Sequence, residues 1–451
     1  MEGQIVKLIV NSSFFLITLL LTINGNIKQA IYLCLFLLPF DSSVFFMKII
    51  NTNGCAIAGL ILGTMTSKPE YLRINFYGKY LFSIIILISF SIINIFFLQE
   101  DNSALAWDIY FNVKSSSIFF VTSIFLAISF YTILVNFIKD ERDLINCMVS
   151  LILSVLYFFI SFIGSYLYNL NLPIFLQYRI SGGDIIAKVS KFRFAGFWAD
   201  YELTNEFMFI IMGLSLWVLF NTKAEKIHKV ISFISIIFSL AMSIGTGTRS
   251  FLVMLILFSS IITFVFLSSK NVAFSNKLII GTIISLFSFF TVIAILNSDI
   301  LYERTMETME NIDTFQSNQS LSSFETALNR NYSQSYAQIL ETGGVFGKGA
   351  FFVSSLNGDI MVYHCLYYQL IINFGIIGLI IFIVFFCKLI KDLFSNIKFR
   401  TQNSIIFALI ISLLIDQIKI NFFRENSHML TYWVLFSFIT VINKRINWKL
   451  Q

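Results

Sequence analysis

Three arginines and one histidine stand out in a chain that is 57% hydrophobic and only 12% charged. They are Arg193, Arg249, Arg330 and His364. A planar guanidinium makes paired hydrogen bonds to phosphate and stays charged at every relevant pH. Several guanidinium groups at one membrane face suit a lipid diphosphate, because they neutralise the charge that a departing diphosphate gains. A histidine titrates near neutral pH, so His364 is a candidate for taking a proton from an attacking hydroxyl.

Each of these residues also has a plainer interpretation. A single arginine at a helix end can extend to the membrane interface, and an interfacial histidine can be satisfied by one hydrogen bond. Arg249 fits this interpretation least well, because it lies in the segment Gly245-Thr-Gly-Thr-Arg-Ser. The two glycines allow close approach of the backbone to a ligand and offer N–H donors beside the guanidinium.

The composition predicts no metal, no cofactor and no nucleic-acid partner. The sequence has only three histidines, and no Asp-x-Asp pair lies near a predicted outer boundary of the membrane. The five cysteines include no Cys-x-x-Cys spacing, so neither a disulfide framework nor a metal site is indicated. The formal charge of +6 is expected to reflect lysines and arginines retained on the cytoplasmic side of a membrane.

Four short motifs between about residues 190 and 390 resemble, in order, those of the bacterial O-antigen polymerase and O-antigen ligase superfamily. Each motif is predicted to lie at the same face of the membrane. They are Arg193-Phe-Ala-Gly196 followed by Asn205; Gly245-Thr-Gly-Thr248-Arg249-Ser; Arg330 with Tyr336-Ala337 and Gly347-Lys-Gly349; and His364-Cys-Leu-Tyr-Tyr-Gln-Leu followed by Gly375-Ile-Ile-Gly378. Two positions depart from the pattern, since Thr248 and Cys365 stand where relatives usually have serine and asparagine.

The resemblance implies a glycosyltransferase-C-like membrane fold with a large periplasmic loop. It also implies inverting, metal-independent transfer of a glycan from undecaprenyl diphosphate to a sugar hydroxyl. Arg193 and Arg249 would then hold the diphosphate, and His364 would orient or deprotonate the acceptor. The substrate-binding positions implied in the same way are Gly196, Thr248, Arg330, Gly347 and Gly349.

The acceptor separates two activities within that family. A polymerase uses another lipid-linked repeat unit, whereas a ligase uses the outer core of lipid A. The chain has 53 Phe and only three Pro, which suggests an AT-rich gene of the kind found in O-antigen clusters, and this favours a polymerase. Its expected partners are the lipid-linked oligosaccharide, membrane lipid and a chain-length regulator, at the inner membrane. The alternative from another class is a lipid-linked oligosaccharide flippase, which predicts charged residues through the middle of helices.

Long apolar runs predict an all-α polytopic bundle of 12 or 13 transmembrane helices, since a helix needs about 20 residues to cross the hydrocarbon core. We predict one transmembrane domain over residues 1–451, with an N-terminal helix that is not a removed signal peptide. The stretch Cys55 to Thr66 is predicted as a thirteenth span, half of a broken helix or a re-entrant piece. The other predicted spans are 5–23, 29–48, 77–98, 115–138, 144–168, 202–221, 229–245, 250–268, 278–297, 362–387, 403–420 and 429–443.

Basic residues in the short connectors predict which ends are cytoplasmic. These residues are Lys223, Lys226, Lys229, Lys270, Lys277, Lys388, Lys391, Lys398, Arg400, Lys444, Arg445 and Lys449. Two long segments, 169–201 and 297–361, are then left for the periplasmic side and exceed ordinary connectors in length. The first has four basic and two acidic residues, and the second has three basic and eight acidic residues. They are either simply solvated or form a cap held partly by opposite charge.

Overall fold

The computed structural model describes residues 2–40, 51–97, 107–163, 201–268, 344–347, 349, 365–397, 402–418, 421, 423 and 426–447. Within these residues it has twelve α-helices, one 3₁₀ turn at Pro69–Leu72 and no strand. The helices are α1 Glu2–Ile23, α2 Ile27–Phe36, α3 Thr52–Ser67, α4 Gly78–Phe97, α5 Trp107–Phe137, α6 Glu141–Ser161, α7 Tyr201–Phe220, α8 Lys226–Thr246, α9 Arg249–Ser268, α10 Leu366–Ile397, α11 Asn403–Asp416 and α12 Asn426–Asn447.

Several of the described helices have the length and the exposed apolar surface of membrane helices. Five of them carry segments long and apolar enough to cross a bilayer: 120–137, 141–160, 201–220, 226–246 and 366–395. Large apolar side chains such as Phe264 and Ile256 are 71% and 65% exposed, which suits contact with lipid rather than water. The all-α class is therefore confirmed for the described part, while the number of spans and the glycosyltransferase-C-like fold stay predictions.

Several observed helices begin or end at different residues from the predicted spans. Helix α2, at the start of the predicted span 29–48, ends at Phe36, just before a turn that contains Pro39, and residues 41–48 lie outside the described residues. Helix α10 is longer than its predicted span, 362–387, and α11 ends at Asp416 rather than at 420. The predicted span 278–297 lies outside the described residues, as does nearly all of the two long loops.

The chain forms two compact units. Unit 1 comprises residues 1–138, 326–389 and 417–441, and unit 2 comprises residues 139–325, 390–416 and 442–451. Unit 1 contains helices α1 to α5 with most of α10 and α12, and unit 2 contains α6 to α9 with α11. The single domain predicted from the sequence stays a prediction.

Helices α1 and α3 run parallel in unit 1. Near the start of α3, Thr52 Oγ1 donates to Asn11 Oδ1 at 2.8 Å. At its other end, Ser67 Oγ donates to the carbonyl of Thr22 at 3.3 Å. The 16 residues of α3 therefore begin level with the middle of α1. At 1.5 Å per residue α3 is about 24 Å long, short of the roughly 30 Å hydrocarbon core, so it matches a partial span better than a thirteenth complete one.

A pair of glycines four residues apart brings the two helices together. Gly59 lies against the carbonyl of Phe15 and the hydroxyl of Thr18, and Gly63 lies against the side chain of Thr22. The same Thr18 hydroxyl donates to the carbonyl of Ala56 at 2.8 Å. Small residues at this spacing allow close backbone approach, which is the main source of attraction between helices in lipid.

We expect Gly59→Ala to destabilise the protein by about 1–3 kcal/mol, because the added methyl group overlaps the Phe15 carbonyl and cannot be accommodated without separating α1 from α3. Gly78→Ala is the matched control, since its methyl group would only touch Ile74 at an ordinary 3.5 Å. Thermal unfolding in detergent measures both variants. Equal melting temperatures for the two would contradict the packing described for α3.

Unit 2 is built from helices that alternate in direction. Asn221 at the end of α7 donates to Glu141 at the start of α6 at 3.0 Å, so these helices are antiparallel. The indole N–H of Trp217 donates to Asn403 Oδ1 at 3.3 Å, which places the start of α11 at the same end. Lys223 forms an ion pair with Glu141 at 3.0 Å. This end of unit 2 thus carries the basic connector for which the sequence predicts a cytoplasmic position.

Candidate functional site

The structure describes only part of the predicted site. Arg193, Gly196, Arg330 and His364 lie outside the described residues, and so does the side chain of Arg249. The described members are Thr248 in unit 2 and the pair Gly347 and Gly349 in unit 1.

In unit 2 the predicted Gly-Thr-rich turn is a tight connection between α8 and α9. Gly247 has φ 60° and ψ 30°, a left-handed conformation that glycine adopts without strain at the end of a helix. Its N–H donates to the carbonyl of Ile244 at 3.0 Å. Gly245, predicted as part of the turn, belongs to the last turn of α8. The glycine conformation therefore closes α8 and sets Arg249 as the first residue of α9.

Thr248 uses its hydroxyl within this turn. The Thr246 hydroxyl donates to the carbonyl of Ser243 at 2.7 Å, and the hydroxyls of Thr246 and Thr248 lie 3.1 Å apart, within hydrogen-bonding distance. Thr248 is also buried. In the structure its hydroxyl contact stabilises the turn that precedes Arg249. Substrate binding by Thr248 stays a prediction.

Asn205, quoted in the first motif without a role, is the most unusual polar side chain of unit 2. It is 0% exposed, and neither its amide nitrogen nor its oxygen has a hydrogen-bond partner among the described residues. It lies in the second turn of α7, at the end of unit 2 opposite the basic connector, which is also where α8 ends. Burying an unsatisfied amide costs about 1–3 kcal/mol. Such a side chain marks a position where a bound polar group or water would add two hydrogen bonds.

In unit 1 the two remaining glycine motifs meet. Helix α10 is interrupted at Gly375, which has φ 70° and ψ −173°. The turn at residues 344–347 lies against this interruption. The N–H groups of Ile376 and Ile377 donate to the carbonyls of Gly344 and Val345 at 3.1 and 3.3 Å. These bonds satisfy donors at the start of the second half of the helix, which the interruption would otherwise leave without partners.

The contact between the turn and the helix is backbone against backbone. The N–H of Gly349 donates to the carbonyl of Asn373 at 3.2 Å. A Cβ atom on Gly347 would lie 2.5 Å from that same carbonyl oxygen, and one on Gly375 would overlap the carbonyl of Val345. Only glycine at both positions permits this approach. The Gly-x-Gly and Gly-x-x-Gly motifs, which the sequence suggested separately, are thus the two halves of one contact.

The turn lies well inside the length of α10. Residues Leu366 to Phe374 form the first part of the helix, so the interruption is roughly 14 Å from the helix start at 1.5 Å per residue. Phe346 in the turn also packs against Phe90 of α4, with ring centroids 5.6 Å apart. Irregular backbone at membrane depth is stable only where protein or water satisfies its polar groups, as the three backbone bonds do here.

The start of α10 is held by a buried polar cluster that sequence reasoning missed. The N–H of Leu366 donates to the carbonyl of Gln417 at 3.0 Å. Gln417 Nε2 donates to the hydroxyl of Tyr432 at 2.8 Å. The ring of Tyr432 contacts the ring of His428 at a centroid distance of 5.3 Å, and all three side chains are buried. One feature of the sequence could have indicated this cluster, because polar residues are rare in apolar helices. That rarity singles out Gln417 and His428 as well as His364.

Glu206 is a further buried polar side chain, and it belongs to none of the four motifs. It follows Asn205 in α7, is fully buried, and is a carboxylate in a helix predicted to span the membrane. Charged residues at such positions mark functional sites by default. Among the described residues, no group of three His, Cys, Asp or Glu side chains is placed to hold a metal ion.

Comparison with known proteins gives no family. No family model matches the chain, and no curated protein matches it. The resemblance to the O-antigen polymerase and ligase superfamily therefore depends on the four motifs alone.

Proposed function

We propose that this chain is a membrane glycosyltransferase of the polysaccharide polymerase type. It transfers a growing glycan from undecaprenyl diphosphate to a lipid-linked repeat unit at the periplasmic face. Arg193 and Arg249 bind the diphosphate, His364 takes the proton of the acceptor hydroxyl, and no metal takes part. Arg330, Gly196 and the Gly347–Gly349 segment belong to the substrate-binding surface.

The observation that carries this proposal is the contact between the Gly347–Gly349 segment and the interruption at Gly375. Gly349 lies level with Asn373, inside the bundle, whereas Cys365 lies at the start of α10. The described part of the predicted loop, residues 344–347 and 349, therefore lies level with the interruption rather than with the helix start. A loop anchored in this way supports a substrate site at the membrane boundary, where the polar head of a lipid diphosphate lies.

A flippase is the second candidate, because interrupted helices are common in transporters. In those proteins the N-terminal end of the second half-helix points free N–H groups at the substrate. Here the N–H groups of Ile376 and Ile377 are already bonded to the carbonyls of Gly344 and Val345. Because these two N–H groups bond the chain's own turn, they are not available to a transported substrate. This favours a glycosyltransferase with an anchored loop over a flippase.

The decisive experiment supplies purified protein with lipid-linked repeat units in detergent. A polymerase yields a ladder of longer lipid-linked chains from this substrate alone. A ligase yields product only when lipid A-core is added. A flippase yields no new glycosidic bond, and instead moves the lipid-linked oligosaccharide across the bilayer of reconstituted liposomes. Failure to form any glycosidic bond with either acceptor would refute the proposal.

Asn205→Leu is expected to separate stability from activity. Removing an amide that has no hydrogen-bond partner among the described residues should stabilise the fold by about 1–3 kcal/mol. Chain extension should fall at the same time, since the amide is retained at that cost for a bound polar group. Ser215→Ala is the control, because Ser215 is a buried hydroxyl near the other end of the same helix and has no hydrogen-bond partner in the part of the chain that the structure describes. That variant should also be stabilised, with full activity; a loss of stability in Asn205→Leu would contradict the assignment.

A further inference from the structure

Gln417, His428 and Tyr432 form a cluster, here called the brace, at the start of α10. Gln417 takes part in this cluster through both its backbone carbonyl and its side-chain amide. Its backbone carbonyl accepts the N–H of Leu366 at 3.0 Å, and its side-chain amide donates to the Tyr432 hydroxyl at 2.8 Å. The rings of His428 and Tyr432 make an edge-to-face contact at a centroid distance of 5.3 Å. The Leu366 N–H is one of the first-turn donors that a helix cannot satisfy by itself.

The helix that carries two of these residues is itself fixed in unit 1. Asn53 Nδ2 donates to Ser427 Oγ at 2.6 Å and to the carbonyl of Leu38 at 2.7 Å. The first bond ties the first turn of α12 to the first turn of α3, and the second ties α3 to the turn that follows α2. Further along α12, Trp433 packs against Tyr131 and Phe385. The Tyr432 hydroxyl is therefore presented from a helix whose position does not depend on the brace.

We propose that the brace is a positioning device for His364, which precedes Leu366 by two residues. By accepting the N–H of Leu366, the Gln417 carbonyl fixes the first turn of α10, the helix that follows His364 in the chain. Tyr432 orients the Gln417 side chain, and His428 restrains the Tyr432 ring. This inference rests on the proposed function of His364, and it adds three residues that none of the four motifs contains.

Tyr432→Phe is the sharpest test, because it removes one hydroxyl and keeps the ring that packs against His428. We expect the kcat for chain extension to fall about tenfold, the value of one hydrogen bond, with KM for the lipid-linked donor little changed. Tyr131→Phe is the matched control. It removes an equally buried hydroxyl of unit 1, which bonds Thr440 at 2.8 Å and has no contact with the brace.

A second readout does not depend on activity. Hydrogen–deuterium exchange of the peptide that begins at Cys365 should be faster in Tyr432→Phe than in the wild type and unchanged in Tyr131→Phe. Faster exchange and lower kcat in Tyr432→Phe alone support the brace. Wild-type exchange in that variant, or equal effects of the two substitutions, would overturn it. If the wild type extends no chains, the proposed function fails, while the exchange experiment still decides whether the brace fixes the start of α10.

Discussion

Gly375→Ala is expected to destabilise the protein by about 3 kcal/mol or more and to abolish chain extension. At φ 70° and ψ −173° the backbone lies in a region that essentially only glycine occupies, and strain there costs roughly 1–3 kcal/mol. The added Cβ atom would also overlap the carbonyl of Val345, and overpacking adds about 1–3 kcal/mol. The variant can relieve both costs only by releasing the turn at residues 344–347. The measurement is thermal unfolding in detergent, together with the rate of chain extension.

Gly344→Ala is the control for this prediction. Gly344 also has a positive φ, 58°, and belongs to the same turn, but a Cβ atom there meets nothing within 4 Å. The substitution should cost only the left-handed strain of about 1–2 kcal/mol. Similar losses in the two variants would mean that conformational strain alone accounts for the effect. The close approach of the turn to α10 would then have no energetic role.

Arg249→Ala is expected to lower the rate of chain extension by about 10²–10³, the usual effect of removing one preorganised group that stabilises developing negative charge. The rate of chain extension by Arg249→Lys should lie between those of Arg249→Ala and the wild type, because lysine keeps the charge but cannot make paired hydrogen bonds to a phosphate. Melting temperatures should change little, since the turn before α9 depends on Gly247 and Thr248. Initial rates with a fixed concentration of lipid-linked repeat unit measure the effect.

Arg142→Ala provides the comparison for Arg249. Arg142 lies in the first turn of α6, at the end of unit 2 that carries the basic connector. It pairs with Glu225 at 2.9 Å, but its side chain is 75% exposed, and exposed pairs contribute about 0–1 kcal/mol. We expect full activity and nearly unchanged stability. Equal rate losses for Arg142→Ala and Arg249→Ala would indicate a general effect of charge on the protein rather than a diphosphate site.

The sequence was sufficient for the helical class but not for where individual helices stop. Hydrophobic runs identify α7 and α8 within a few residues, because each is bounded by polar connectors. They could not show that α2 ends at Phe36, or that α10 is interrupted. An interruption at Gly375 leaves the hydropathy of the segment unchanged, and its stability depends on a turn about 30 residues earlier in the chain.

The same limit applies to the candidate site. Motif spacing singled out Gly347, Gly349 and Gly375, but their contact requires the positions of two backbones that the sequence does not specify. Thr248 is predicted to bind substrate, and the structure adds a contact between its hydroxyl and that of Thr246 within the turn, which the motif does not reveal. Gln417 belongs to no motif, and its importance arises from one backbone bond to Leu366. Tertiary hydrogen bonds of this kind have no periodic signal in a sequence.

The most direct test of the account is the rate of repeat-unit transfer by purified protein in the presence of EDTA, for the wild type and for His364→Ala. We predict that the wild type forms a ladder of chains without added metal, and that His364→Ala slows transfer by about 10²–10⁴, as expected for loss of a general base. No ladder from the wild type, or a wild-type rate from His364→Ala, would contradict the account.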